Sequence, residues 1–207
     1  MPSEVAAVLL AGGLARRMGG GDKCLRLLGG RPILAHIIER VRPQISAMVL
    51  NANGDLARFK AFDMPVVPDA VEGFAGPLAG VLTGMAWAKA NAPSARWLVS
   101  IATDTPFVPQ DLVARLHEAT EREGQPLACA ASGGQSHPVI GLWSLALEGH
   151  LRTALVDEGV RKIDAWTARH GIATVEFSTT PLDPFFNVNT PDELEAAERM
   201  LGLSTLT

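Results

Sequence analysis

The sequence predicts an α/β domain with a largely parallel sheet and helices on both faces, and three observations carry that prediction. Short apolar runs that read as buried strands alternate with longer segments of helical periodicity. The first run, Val5 to Leu10, leads straight into a glycine-rich stretch, the way a strand delivers a ligand loop. Polar residues then stand directly after the first four runs, where an open parallel sheet binds its ligands. With 207 residues and no internal repeat, low-complexity tract or long linker, residues 1–207 read as a single domain.

Each element has its own local reason. Pro32 to Val41 places Ile33, Leu34, Ile37, Ile38 and Val41 at helical spacing behind a first-turn proline. Ala47 to Leu50 is a short strand stopped by the turn composition Asn51-Ala-Asn-Gly54. A short helix over Asp55 to Phe62 and a third strand, Met64 to Val67, precede Pro68-Asp69. A second glycine-rich loop, Gly73 to Gly80, opens an alanine-rich helix from about Leu78 to Asn91. Trp97 to Thr103 is the fourth strand, ending on Asp104. Gln110 to Glu123 is an amphipathic helix with Leu112, Val113, Leu116 and Ala119 on one face. Leu127 to Ala131 and Val139 to Trp143 read as strands around Ser132-Gly-Gly-Gln135, with helices expected over Leu145–Asp157 and Lys162–His170. The whole stretch from about Leu127 to Ile163 is less regular and is expected to cover one end of the sheet. Ala173 to Phe177 is a late strand, and Thr190-Pro-Asp-Glu193 signals an N-cap and an acidic first turn for a helix to Leu201.

Composition excludes several classes. A formal net charge of -4 argues against nucleic-acid binding, which needs a basic face. Cys24 and Cys129 lack any zinc or disulfide spacing. Cys24, directly after Lys23, is either a small buried hydrophobe or a reactive thiol. No run approaches the roughly 20 apolar residues of a membrane span, and Glu4 with no basic flank argues against a signal peptide, so a cytoplasmic protein is expected.

The stretch Leu9 to Lys23 interleaves glycines 12, 13, 19, 20 and 21 with Arg16, Arg17 and Lys23. Glycine lets backbone amides approach an anion, and Arg and Lys supply the charge a polyphosphate needs. It is neither a P-loop nor a dinucleotide fingerprint. Asn51, Asp69 and Asp104 follow the second, third and fourth strands, and all four strand ends should share one crevice. Asp104, a carboxylate ending an apolar strand, suits a Mg²⁺ ligand beside phosphates; a turn role before Pro106 is its alternative. Asn51 and Asp69 carry the same structural alternative. His137, near Gln135, is a candidate wall of a second substrate's pocket, while His36 and His117 receive no role. Asn187 and Asn189 either cap the last helix or enter the site.

Leu10-Ala-Gly-Gly13 through Arg17-Met-Gly-Gly-Gly-Asp22-Lys23, Asn51, Asp69 with Gly76-Pro-Leu-Ala-Gly80, Thr103-Asp104-x-Pro106-Phe107 and Phe185 to Glu193 together resemble the molybdenum cofactor guanylyltransferase family. The resemblance implies a Rossmann-like nucleotidyltransferase sheet, mostly parallel with one reversed strand. It implies transfer of GMP from GTP to the terminal phosphate of molybdenum-bearing molybdopterin, with Mg²⁺ as cofactor. By that likeness Leu10, Ala11, Gly12, Gly13, Lys23, Asn51, Asp69 and Asp104 would bind GTP. Arg17, Lys23 and Asp104 would be catalytic and Asp104 would hold the metal. Asn187, Asn189 and Arg161 would bind the acceptor. Residues to about 107 would form the GTP side and 108–207 the acceptor side of a monomer, with no nucleic acid or membrane as partner and transient contacts to molybdenum-insertion and acceptor proteins. A cytidylyltransferase for the same pterin, a sugar-phosphate nucleotidyltransferase and a non-catalytic GTP-binding protein are the alternatives.

Overall fold

The computed structural model describes residues 4–11, 22–71, 73 and 76–204. In chain order the elements are β1 (Val5–Leu10), β2 (Leu27–Leu28), β3 (Arg31–Pro32), α1 (Ile33–Val41), β4 (Ala47–Asn51), β5 (Val66–Val67), α2 (Pro77–Asn91) and β6 (Trp97–Ala102). They continue with α3 (Leu112–Glu123), β7 (Leu127–Ser132), β8 (Gln135–Ser144), α4 (Glu148–Val156), α5 (Ile163–Thr167), β9 (Ala173–Phe177) and α6 (Pro191–Ser204). Seven strands form one sheet in the order β5-β4-β1-β6-β8-β7-β9, and β2 pairs with β3 in a separate hairpin.

β1 pairs in parallel with β4 and β6, β4 with β5, and β7 with β9, while β8 runs antiparallel to both its neighbours. The sheet is therefore parallel apart from β8 among the described strands. β1 is central because it is apolar on both faces. Val5, Ala7 and Leu9 pack into a core shared with α1 and α3, and Ala6 and Val8 into one shared with α2, α4 and α5. That strict alternation is the period of two expected of a strand covered on both sides. Each fully buried Leu or Ile there contributes roughly 1.5–3 kcal/mol.

α2 sits unusually close to β1. A Cβ on Gly80 would stand 2.5 Å from Asn51 Oδ1 and 2.5 Å from Leu10 Cδ2, and one on Gly84 would stand 2.6 Å from Val8 Cβ. These two glycines, one turn apart, lower the helix onto the sheet and drive its N-terminus into the crevice at the strand ends.

Several expectations need correction. Leu127–Ile163 does not cap the sheet: it supplies β7, whose six residues are all buried, and the interior reversed strand β8. β8 is longer than expected because its pairing shifts between Cys129 and Ala130. Pro138, lacking an N–H, falls in that irregularity, where no ladder bond is demanded of it. The hairpin β2–β3 turns on Gly29 and Gly30, at φ 57° and 77°, a Gly-Gly signal of a two-residue turn. The 55–62 segment is a 3-10 helix capped by Asp55, whose side chain accepts from Ala57 N at 2.9 Å. β5 keeps only two residues, α3 starts at Leu112, and α4 follows a 3-10 turn capped by Ser144. No described helix is long and apolar enough to cross a membrane.

Candidate active site

The chain leaves β1 for β4 and β5 on one side and later reaches β6 on the other, so the crevice beyond β1, β4 and β6 is the topological switch point. Its wall is pinned by backbone bonds. Ala11 N donates to Asn51 O at 2.9 Å, and Thr103 Oγ1 donates to Leu10 O at 3.0 Å. Leu10, Ala11, Lys23, Cys24, Thr103 and Asp104 line one pocket there. Gly12, Gly13, Arg16 and Arg17 lie outside the described residues.

Lys23 and Asp104 are brought together from opposite ends of the first half of the chain. Burial raises the Asp104 carboxyl above the usual carboxylate range, Lys23 beside it pulls it back down, and Glu193 adds a smaller upward push. Lys23 Nζ donates to Asn189 Oδ1 at 2.6 Å. Val188 N donates to Asp104 O at 2.8 Å, so the segment ahead of α6 is stitched to the end of β6. Asn189 N in turn donates to Glu193 Oε2 at 2.7 Å, and Thr190 Oγ1 accepts from Glu193 N at 3.2 Å, a reciprocal cap that fixes the start of α6. Asn187, next to this knot, is exposed. The Cys24 thiol is pushed up to about 11 by burial and then by Asp22, which makes it an inert buried side chain rather than a nucleophile.

The second cluster lies beyond β4 and β5. Asn51 Nδ2 donates to Asp69 Oδ1 at 3.0 Å and Asn53 Nδ2 to Asp69 Oδ2 at 2.7 Å, while Asp69 N donates back to Asn53 Oδ1 at 3.0 Å. Gly80 allows Asn51 to sit in this position. Gly76, at φ 137°, opens α2 and faces the Arg161 carbonyl, 4.0 Å from where its Cβ would be. The Arg161 guanidinium donates to Leu155 O and Val160 O, both at 3.1 Å. The structure thus brings the Arg161 backbone to the Gly76 loop, on the flank of Asn51 and Asp69, and shows its side chain bracing its own loop.

The family model described as MobA-like NTP transferase domain matches residues 7–172. A molybdenum cofactor guanylyltransferase from Bradyrhizobium sp. (strain ORS 278) is 55% identical over 201 residues, covering 97% of this chain and 95% of that protein. The chain belongs to the molybdenum cofactor guanylyltransferase family. A relative of the same name from Nitrobacter hamburgensis is 54% identical over 196 residues, 95% of this chain and 94% of the other. Among solved structures, molybdopterin-guanine dinucleotide biosynthesis protein A from Archaeoglobus fulgidus shares the fold, with a TM-score of 0.72 at 22% identity over 96% of this chain and 99% of that one. A Mycobacterium tuberculosis protein complexed with manganese superposes at TM-score 0.67 and 19% identity, over 96% of this chain and 100% of the other.

A guanylyltransferase-family member is a nucleotidyltransferase, and its chemistry needs positioned charge more than a nucleophilic side chain. Two polar groups of the structure carry no sequence motif. Arg58 pairs with Asp22, and Ser132 Oγ links His137 Nε2 and Asp183 Oδ1, each at 2.8 Å. Burial lowers the His137 pKa, with Asp183 and Glu176 pulling the other way. The turn Asn53-Gly54-Asp55, which wraps the guanidinium, is the signal for the first; in the second, Ser132 and His137 are near neighbours in sequence, but Asp183 lies 51 residues beyond Ser132.

Proposed function

We propose that the chain transfers GMP from GTP to the terminal phosphate of molybdenum-bearing molybdopterin and releases pyrophosphate. What carries this reading is the meeting of Lys23, Asn189 and Asp104, which joins the glycine-loop side of the crevice to the segment ahead of α6. The incoming phosphate oxygen is already anionic, so it needs no base. It attacks the α-phosphorus, the bond to the β-phosphate oxygen breaks, and pyrophosphate leaves with that electron pair. Lys23 holds the phosphates as a point charge, with Arg17 assigned the same task from the sequence. Asn189 orients the Lys23 ammonium, and Asn187 and Arg161 are assigned to the acceptor's side.

Asp104 suits Mg²⁺ by its donor chemistry. It is a single half-buried carboxylate at a strand end, and no group of three ligating side chains occurs among the described residues. That set fits an ion completed by substrate phosphates rather than a protein cage. Bound there, Mg²⁺ would supply neutralisation of triphosphate charge. Leu10, Ala11, Gly12 and Gly13 are assigned to GTP, with residues to about 107 forming its side and 108–207 the acceptor's. Asn51 and Asp69, beside Gly76–Gly80, are assigned to the base, since guanine needs an acceptor facing N1 and N2. The protein is read as a cytoplasmic monomer, meeting molybdenum-insertion and acceptor proteins transiently.

Pyrophosphate release measured with each of the four nucleoside triphosphates, with and without molybdopterin, tests the whole reading. GTP should exceed CTP by one or two orders of magnitude in kcat/KM, because each unpaired buried polar group costs roughly 1–3 kcal/mol. Equal or better use of CTP overturns it in favour of a cytidylyltransferase.

A further inference from the structure

We propose that Arg58 is a positioning residue for the reaction, neutralising Asp22 so that the phosphate side of the crevice presents the Lys23 cation without an uncompensated carboxylate beside it. The inference rests on the nucleotidyl-transfer reading above. Asp22 immediately precedes Lys23, and its side chain is only 14% exposed. Arg58, 25% exposed, clasps it with Nε and Nη2. The remaining donors are spent on the turn that follows β4: Nη2 donates to Asn53 O at 2.8 Å, and Nη1 donates to Asp55 O. Gly54, at φ 80°, bends that turn around the guanidinium, whose Cζ lies over the Phe59 ring, 4.5 Å from its centroid.

A guanidinium committed through Nε, Nη1 and Nη2 to Asp22, Asn53 and Asp55 is not a free phosphate hook. Its effect on an anionic substrate runs through Asp22. Removing Arg58 leaves a half-buried carboxylate beside Lys23, where it both repels a triphosphate and competes for the ammonium that now reaches Asn189. Asn53, which bonds Arg58 through its carbonyl and Asp69 through its amide, extends the same brace to the base-side cluster. The segment 53–58 thereby holds both walls of the crevice.

The test is GTP binding by calorimetry, without acceptor, in wild type, Arg58→Ala, Arg58→Lys, Asp22→Asn and the Arg58→Ala/Asp22→Asn double variant, each with its melting temperature. Arg58→Ala should weaken GTP binding about tenfold or more, as expected of breaking a largely buried ion pair. The double variant should recover to within about threefold of wild type, because the offending charge is gone. Arg58→Lys, which keeps a cation beside Asp22, should also stay within about threefold and covers the case in which the alanine variant does not fold. A double variant no better than Arg58→Ala, or a lysine variant as weak as the alanine one, overturns the proposal in favour of a plain structural brace. No GTP binding by wild type overturns the nucleotidyl-transfer reading itself, and the role of Arg58 with it.

Discussion

The two sides of the crevice are built by different means. On the side proposed to bind the nucleotide, neighbouring parallel strands β4, β1 and β6 each end in a residue of interest, so sheet topology alone collects Asn51, Ala11 and Asp104 within reach of one another. On the side proposed for the acceptor the sheet contains the reversed strand β8, and strand ends do not line up. Asn189 is held there by ties to Lys23 and to the cap of α6, and its neighbour Val188 by a backbone bond to Asp104. Ser132 fastens the preceding segment through Asp183. A site assembled by topology tolerates change in its surroundings; one assembled by ties depends on each of them.

The largest effect should come from the residue both sides share. Asp104→Asn should lower the transfer rate by roughly 10²–10³, the scale of removing one transition-state charge partner, with pyrophosphate release as the measure. Stability should move the other way. Burial raises the Asp104 pKa in the folded protein, so the native state binds protons more avidly than the unfolded one, and stability falls as pH rises from the ordinary carboxylate range through that raised value. The asparagine variant removes this loss and should melt higher than wild type at neutral pH. Wild-type activity, needing the ionised carboxylate, should decline as pH drops through the same window. An unchanged rate would dissolve the shared-centre picture.

Gly80→Ala should strike the nucleotide side alone. A methyl 2.5 Å from Asn51 Oδ1 must displace that amide, at about 1–3 kcal/mol for overpacking, and loosen Asp69. GTP affinity and melting temperature should both fall. Gly84→Ala, meeting Val8 Cβ at 2.6 Å, should cost similar stability and leave GTP affinity in the surviving folded protein unchanged. If both variants weaken GTP binding equally, the effect is packing and the comparison loses its footing.

Those glycines also mark what was legible in the sequence. The Gly73–Gly80 loop and an alanine-rich helix behind it could be read from residue order, as could the strand before Asp104, because buried parallel strands leave short apolar runs. β8 was harder. Its outer half, Gln135-Ser-His-Pro138, is polar and carries a proline, so periodicity stopped at Val139. Only the pairing shift opposite Cys129 shows why a strand can pass through it. The small residues of β7 hid its depth in the same way, since Ala-Cys-Ala-Ala is no apolar landmark until two layers close over it. Asn189 stands out in the sequence as a polar residue ahead of a helix, with its role supplied only by resemblance, and Arg58, in the 3-10 helix behind the Asn53-Gly54-Asp55 turn, has no visible role until its partner, Asp22, comes into view.

The smallest effect should belong to the acceptor side. Asn189→Ala removes the tie on Lys23 while keeping the cation, so the acceptor KM should rise about five- to tenfold, the scale of one charge-assisted hydrogen bond, while GTP affinity shifts less than about threefold. Steady-state kinetics with each substrate varied in turn separates the two. A larger change in GTP affinity than in acceptor KM would place Asn189 on the nucleotide side and redraw the boundary.

The bond between Lys23 and Asn189 spans 166 residues, and that distance has a meaning in time as well as in space. A ribosome adding about 5–20 residues per second takes roughly ten to thirty seconds to cover it. Asp104 is itself added about halfway through that interval, so for the second half the strands that collect Asn51, Ala11 and Asp104 are already made, while the partner that orients the Lys23 ammonium has yet to be synthesised. On the proposed reading, the growing chain holds the pieces of its nucleotide site before it can align them with an acceptor. On that reading, competence for transfer waits on Asn189.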